Sequence, residues 1–236
     1  MILIHGAGGN RLYWPPEIRR WRGAIVYAVD LPGHGDSGGH SEATLSSYAE
    51  QMMDWMREMK LPLSVVAGHS MGGAIALTMA LRSTRQLAGL ALIGSSARLR
   101  VAPTILQNSA ERSTFAQAVD QVIEAAFSPE AERGLVRLAR QRMLEAGHRT
   151  FHNDFQACDH FDIRSRLQEI DIPAIVITGE HDRLTPPHLG QELAEGLPEA
   201  SFHEVEAAGH MVMLERPHQV LDLIKVFYQT HFNSAG

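Results

Sequence analysis

Apolar and polar positions along this chain form two alternating kinds of segment. Short apolar runs occur at 1–5 (MILIH), 24–30 (AIVYAVD), 63–69 (LSVVAGH), 87–94 (LAGLALIG), 174–180 (AIVITGE) and 201–209 (SFHEVEAAG). The first five are apolar on both faces, as in parallel strands buried on each side. The sixth mixes polar and apolar positions and is expected nearer a sheet edge. Helical periods fit between the runs. Over 45–59, Leu45, Tyr48, Ala49, Met52, Met53, Met56 and Met59 recur on one face of a 3.6-residue period. That methionine-rich stripe reads as packing against a sheet rather than as a ligand surface. The run 71–82 (MGGAIALTMALR) is apolar nearly all round, which predicts a central helix. Pro217 suits the first turn of a last helix, with Val220, Leu221, Ile224, Phe227 and Tyr228 facing inward.

Strand–helix–strand alternation predicts an α/β fold: a mostly parallel, doubly wound sheet of about six strands, with right-handed crossovers and helices on both faces. Residues 97–168 interrupt it. They hold no strand run but at least two amphipathic helical stripes. One is Phe115, Val119, Val122, Ile123 and Ala126; the other is Leu135, Leu138, Ala139 and Met143. This predicts a helical insertion over one edge of the sheet, dividing the chain into a core of 1–96 with 169–236 and an inserted 97–168. There is no internal repeat.

Bulk composition narrows the classes. At 236 residues a full core is expected without disulfides. Cys158 is the single cysteine, which rules out an intrachain disulfide and suggests a reducing compartment. Lys and Arg total 21 against 27 Asp and Glu, a net charge of −6 with no long basic run. That argues against nucleic acid or anionic membrane as the main partner. No apolar run approaches the ~20 residues of a membrane span, and the N-terminus lacks the pattern of a secretion signal. The expectation is a cytoplasmic protein acting on a small molecule, with oligomeric state open.

Ligands of doubly wound sheets bind outside the carboxyl ends of the strands. The residues there are His5-Gly6-Ala7, Asp30, Ser70, Gly94-Ser95, Asp182 and His210. Ser70, Asp182 and His210 are a nucleophile, an acid and a base in chain order. Gly68-His69-Ser70-Met71-Gly72 matches G-x-S-x-G between a strand and a helix, a sharp turn that exposes the serine oxygen. The same turn aims the Met71 N–H and the positive end of the following helix at that point. A serine hydroxyl needs a base within reach. His210 supplies one, and a buried carboxylate can fix its tautomer. The bland alternative for Ser70 is a helix N-cap. Glu180 competes weakly with Asp182. Thirteen histidines dilute the meaning of any one of them. His5, His34 and His181 are expected to hydrogen-bond loop backbone, and His69 to point away from the chemistry. A zinc site of His5, His69 and His181 has no ligand spacing behind it, so no metal or cofactor is expected. The loop DLPGHGDS (30–37), flanked by Asp30 and Asp36, reads as a tight structural loop rather than a phosphate cradle. Cys158 reads as a buried inert thiol. Arg98, Arg100, Arg112, Arg133, Arg137, Arg140 and Arg142 read as solvated surface charge rather than an anion clamp.

With HGAGG (5–9), DLPGHGDS (30–37), GHSMGG (68–73), GEHDRLTP (179–186) and AGH (208–210) in order, the chain resembles the α/β-hydrolase family over nearly its whole length. The resemblance implies Ser70 as nucleophile, Asp182 as acid and His210 as base. It implies Ala7 as the second oxyanion donor beside Met71, each such donor being worth about 3 kcal/mol of barrier. It makes 97–168 the helical cap over the substrate pocket. Family members carry two further strands before the one ending in His-Gly. Here that strand begins at Met1, so those two are expected to be absent, through truncation at the chain's start, with a sheet edge left open. The implied activity is hydrolysis of a small to medium carboxylic ester through an acyl-enzyme. Lactone or enol-lactone hydrolysis, C–C bond hydrolysis and cofactor-free perhydrolysis could use the same three residues. Serine rather than aspartate at 70 argues against dehalogenase and epoxide hydrolase chemistry. A receptor that keeps the fold without turnover is the reading from another class.

Overall fold

A computed structural model describes residues 1–232. All six apolar runs are strands: β1 (Ile2–Ile4), β2 (Tyr27–Ala28), β3 (Ser64–His69), β4 (Leu87–Ile93), β5 (Ala174–Gly179) and β6 (Ala200–Val205). They form one sheet in the order β2-β1-β3-β4-β5-β6, with every pairing parallel. Parallel neighbours need crossovers, and the helices supply them. These are α1 (Pro16–Arg19), α2 (Leu45–Glu58), α3 (Met71–Arg82), α4 (Pro103–Ala110), α5 (Phe115–Ala126), α6 (Arg133–Glu145), α7 (His148–Asp159), α8 (Pro187–Gly196), α9 (Val212–Glu215) and α10 (Pro217–Phe232).

Side-chain alternation along the strands divides the core in two. Ile2, Ile4, Val66, Leu90, Leu92 and Val176 pack on one face against α2, α3 and α8. Leu3, Val65, Ala67, Ala91, Ile93 and Ile177 pack on the other, against α10 and residues of α5 to α7. The methionine stripe of α2 is core, with Met52, Met53 and Met56 buried; Met59, just past the helix, is exposed. Tyr228 of α10 is only half-buried.

Three expectations need correction. The run at 24–30 is not a strand buried on both faces. Only Tyr27 and Ala28 pair, both half-buried, because β2 is an edge with a neighbour on one side only. Leu138 does not belong to the inward stripe of α6 and is 44% exposed. The insertion does not sit over a sheet edge. Its residues share a cavity with the loops after β1, β3, β5 and β6, so it covers the carboxyl ends of the strands. It contains four helices, α4 to α7, and the two that showed no clear stripe in the sequence, α4 and α7, are short or carry a charge on the inward face.

Candidate active site

The turn between β3 and α3 holds its serine in a constrained backbone conformation. Ser70 has φ 53° and ψ −116°, a conformation that side chains with a Cβ rarely adopt. The turn is pinned from both directions. Ser70 N–H donates to the Ile93 carbonyl at 2.8 Å, and the Ser70 carbonyl accepts from Ser95 Oγ at 3.0 Å and from Gly73 N–H at 2.9 Å. The flanking glycines make the turn possible. A Cβ on Gly68 would strike the backbone of Gly72 and Gly73, and one on Gly72 would strike the carbonyl oxygen of Ile4. Ser70 forms no side-chain cap hydrogen bond to α3, so its hydroxyl does not act as an N-cap.

Loops after β5 and β6 bring the acid and the base together. His210 Nδ1–H donates to Asp182 Oδ2 at 2.8 Å, with the side chains 5% and 0% exposed. Asp182 also accepts from the backbone N–H groups of Leu184 and Thr185, at 2.9 and 2.8 Å, and from Thr185 Oγ1 at 2.8 Å. Four donors on one buried carboxylate hold it in one orientation. Since Nδ1 carries the hydrogen, Nε2 of neutral His210 is the basic nitrogen. Glu180 is turned elsewhere, accepting the Ala207 N–H. Glu215 holds the loop beside His210, accepting the N–H of Gly209 on one oxygen and of Ser128 on the other. His69 lies beside the base, with its Nε2–H donating to the His210 carbonyl at 3.0 Å. Burial, and then the neighbouring His210, push the His69 ring well below the ordinary histidine value, so it is neutral.

Ser70 and His210 line the same cavity of about 170 Å³, together with Gly6, Ala7, Thr185 and Met211. No direct hydrogen bond joins the Ser70 hydroxyl to the His210 ring. Leu99, Val101, Ile105, Val122, Met143 and Phe155 of the insertion close the cavity with apolar surface. Arg100 and Arg183 reach it as well. Arg100 is exposed, in keeping with a solvated charge at the cavity's mouth. Cys158 also lines the cavity, and burial pushes its thiol well above the usual range, as expected of an inert thiol.

The loop after β1 is set by His5. Its Nε2 accepts the Leu31 N–H at 3.1 Å, so the hydrogen sits on Nδ1 and is donated to the Gly6 carbonyl at 2.8 Å. Gly9 N–H donates to the same carbonyl at 3.1 Å. Because a peptide is planar and trans, fixing the Gly6 carbonyl fixes the Ala7 N–H on its opposite side. His5 thus bonds backbone, as expected. His181 does not: its ring is half-exposed, 3.9 Å from Glu180. His34 bonds the Pro32 carbonyl but also the carboxylate of Asp154. Asp30 accepts from Arg11 and from Asp36 N–H, closing the 30–37 loop as a structural unit. Among the described residues, no three His, Cys, Asp or Glu side chains gather in a way that could hold a metal ion. None of the helices described is long and apolar enough to cross a membrane.

Residues 1–223 match the model of the alpha/beta hydrolase family. The chain belongs to that family. It is 27% identical to a pimeloyl-(acyl-carrier protein) methyl ester esterase of Neisseria meningitidis, over 97% of this chain and 93% of that protein. Among solved structures, a thermophilic esterase superposes with a TM-score of 0.87 at 30% identity, covering 98% of this chain and 90% of that one. The enol-lactonase of Burkholderia xenovorans superposes with a TM-score of 0.88 at 24% identity, over 97% and 90% of the two chains, a likeness of fold. Thr185, Glu215, Arg183 and Asp154 went unremarked in the sequence. Only Thr185 left a signal there, as the hydroxyl three residues after Asp182 in a turn.

Proposed function

We propose that this alpha/beta hydrolase is a serine esterase that cleaves a carboxylic ester of small to medium size. The observation that carries the reading is the strained Ser70 on a shared cavity wall with His210, whose Nδ1 is held by buried Asp182. In this mechanism His210 Nε2 takes the proton of the Ser70 hydroxyl as the oxygen attacks the acyl carbonyl. The imidazolium so formed is stabilised by Asp182. The developing oxyanion lies between the N–H groups of Ala7 and Met71, the latter at the N-terminus of α3. His210 then protonates the departing alcohol, activates a water, and the acyl-enzyme is hydrolysed. Residues 97–168 act as the cap. Their apolar lining excludes water from the acyl chain and limits its length.

Esterase-named relatives favour an ester over a C–C bond or peroxide formation. The test is a panel of aryl esters of rising acyl length, run on the wild type and on Ser70→Ala, with mass-spectrometric mapping of a serine-directed phosphonate. The expected result is turnover of short acyl esters, its loss in Ser70→Ala and a label on Ser70. Equal turnover by the two proteins would reject the mechanism. A wild type that neither turns over nor takes the label would favour a receptor.

A further inference from the structure

Helix α7 carries a carboxylate where its inward stripe calls for a hydrophobe. Phe151, Asp154, Phe155 and Cys158 share its buried face, and Asp154 is 0% exposed. A carboxylate there is costly unless its lone pairs are answered. Three donors from three separate segments answer them. Gly8 N–H and His34 Nε2 both meet Oδ2 at 2.8 Å, and the Tyr48 hydroxyl donates to Oδ1 at 2.8 Å. Both nitrogens of His34 face oxygen acceptors, Asp154 and the Pro32 carbonyl, an arrangement that favours the doubly protonated ring. Burial alone would lower His34. The hydrogen bond and charge of Asp154 outweigh it and raise the ring above its ordinary value.

A hydrophobe would hold α7 in place at least as well as this buried ion pair. What a hydrophobe could not do is accept the Gly8 N–H. Gly8 follows Ala7, whose N–H faces the side of the loop opposite the clamped Gly6 carbonyl. Anchoring the peptide on each side of Ala7, one through His5 and one through Asp154, leaves that N–H a single direction. We infer that Asp154 is a positioning residue: it aims the Ala7 N–H at the oxyanion from within the cap, an assignment that rests on the esterase reading above. Since α7 also presents Phe155 and Cys158 to the cavity, one helix walls the acyl pocket and braces the loop that stabilises the transition state.

The experiment compares Asp154→Ala, Asp154→Asn and Tyr48→Phe in the full chain. Three readouts are taken: hydrogen exchange of the 5–9 segment, the separate kcat and KM for a turned-over ester, and the affinity of a trifluoromethyl ketone, which binds as an oxyanion mimic. Asp154→Ala is expected to speed exchange at 5–9 and to lower kcat by about 10- to 100-fold, with KM within a few fold. Ketone affinity should fall by the same factor as kcat/KM. Asp154→Asn keeps one acceptor oxygen and should fall between Asp154→Ala and the wild type, which preserves the test if the alanine variant does not fold. Tyr48→Phe removes a different donor from the same carboxylate. It should lower Tm while leaving ketone affinity near the wild-type value. Equal losses in the Asp154 and Tyr48 variants, in proportion to their losses of Tm, would overturn the proposal, as would unchanged exchange at 5–9. If the wild type turns over no ester, the esterase reading fails, and the exchange data alone decide whether Asp154 braces the loop.

Discussion

Thr185 Oγ1 donates to Asp182 Oδ2, the same oxygen that receives His210 Nδ1–H, with both contacts at 2.8 Å. The hydroxyl is 3.2 Å from Nδ1 itself. The carboxylate is therefore triangulated by a turn of its own loop before it meets the histidine. This predicts two unequal effects. On the proposed mechanism, Asp182→Asn removes the charge that stabilises the imidazolium and permits the wrong tautomer, so kcat should fall by about 10³- to 10⁴-fold. Thr185→Val loses one neutral hydrogen bond of about 1 kcal/mol and should cost roughly fivefold. Steady-state kinetics on the two variants checks the ordering, and a Thr185 effect as large as that of Asp182 would contradict it.

Strain at Ser70 makes activity and stability separable. A side chain at φ 53° costs on the order of 1–3 kcal/mol, most of which glycine avoids. Ser70→Gly should therefore be inactive yet more stable than Ser70→Ala by about 1 kcal/mol. Urea unfolding of the pair measures the difference, and an alanine variant as stable as the glycine one would mean the backbone there is relaxed.

Gly72 faces the carbonyl of Ile4, so a methyl group there would push α3 away from β1. Gly72→Ala is expected to lose about 1–3 kcal/mol of stability through overpacking. Activity should fall further than the folded fraction does, because Met71, the oxyanion donor of the proposed mechanism, moves with the helix. Thermal unfolding combined with kinetics on the soluble variant would reveal the two effects.

Two buried neutral histidines set an acid limit. Burial, and then the charge of His34, lower His5 to about 4; Asp154 and Asp30 partly oppose the shift. His69 is lowered well below 6.5 by burial and then by His210. Folded values below the unfolded value mean that the unfolded chain binds more protons as pH falls from about 6.5 toward 4. Stability should then drop by up to about 1.4 kcal/mol per pH unit for each ring. His34, raised in the fold, acts oppositely: its contribution is full below its unfolded value and is lost as pH rises through the folded one. Denaturant midpoints at pH 7, 6 and 5 should decline, and less steeply in His69→Gln. Parallel declines in the two proteins would remove His69 from the account.

Met143 and Phe155 line the cavity, where the proposed mechanism seats the acyl group. Met143→Ala should shift preference toward longer acyl chains by about 10- to 200-fold in relative kcat/KM. An unchanged chain-length profile would place the acyl group elsewhere.

The linear pattern of residues was sufficient for the sheet, for α2, α3 and α10, and for placing Ser70, Asp182 and His210 in loops at the carboxyl ends of their strands. Strand burial and helix period are local repeats, and each of the three side chains lies in the turn or loop that follows its strand. Tertiary structure alone decided that the run at 24–30 is a thin edge, that the insertion covers the strand ends, and that Arg100 reaches the cavity. Each depends on which segment lies alongside which, a matter of sequence-distant packing. Asp154 is the clearest case: a charged residue hides the stripe of α7, and its purpose appears only when Gly8, His34 and Tyr48, more than a hundred residues away, arrive to donate to it.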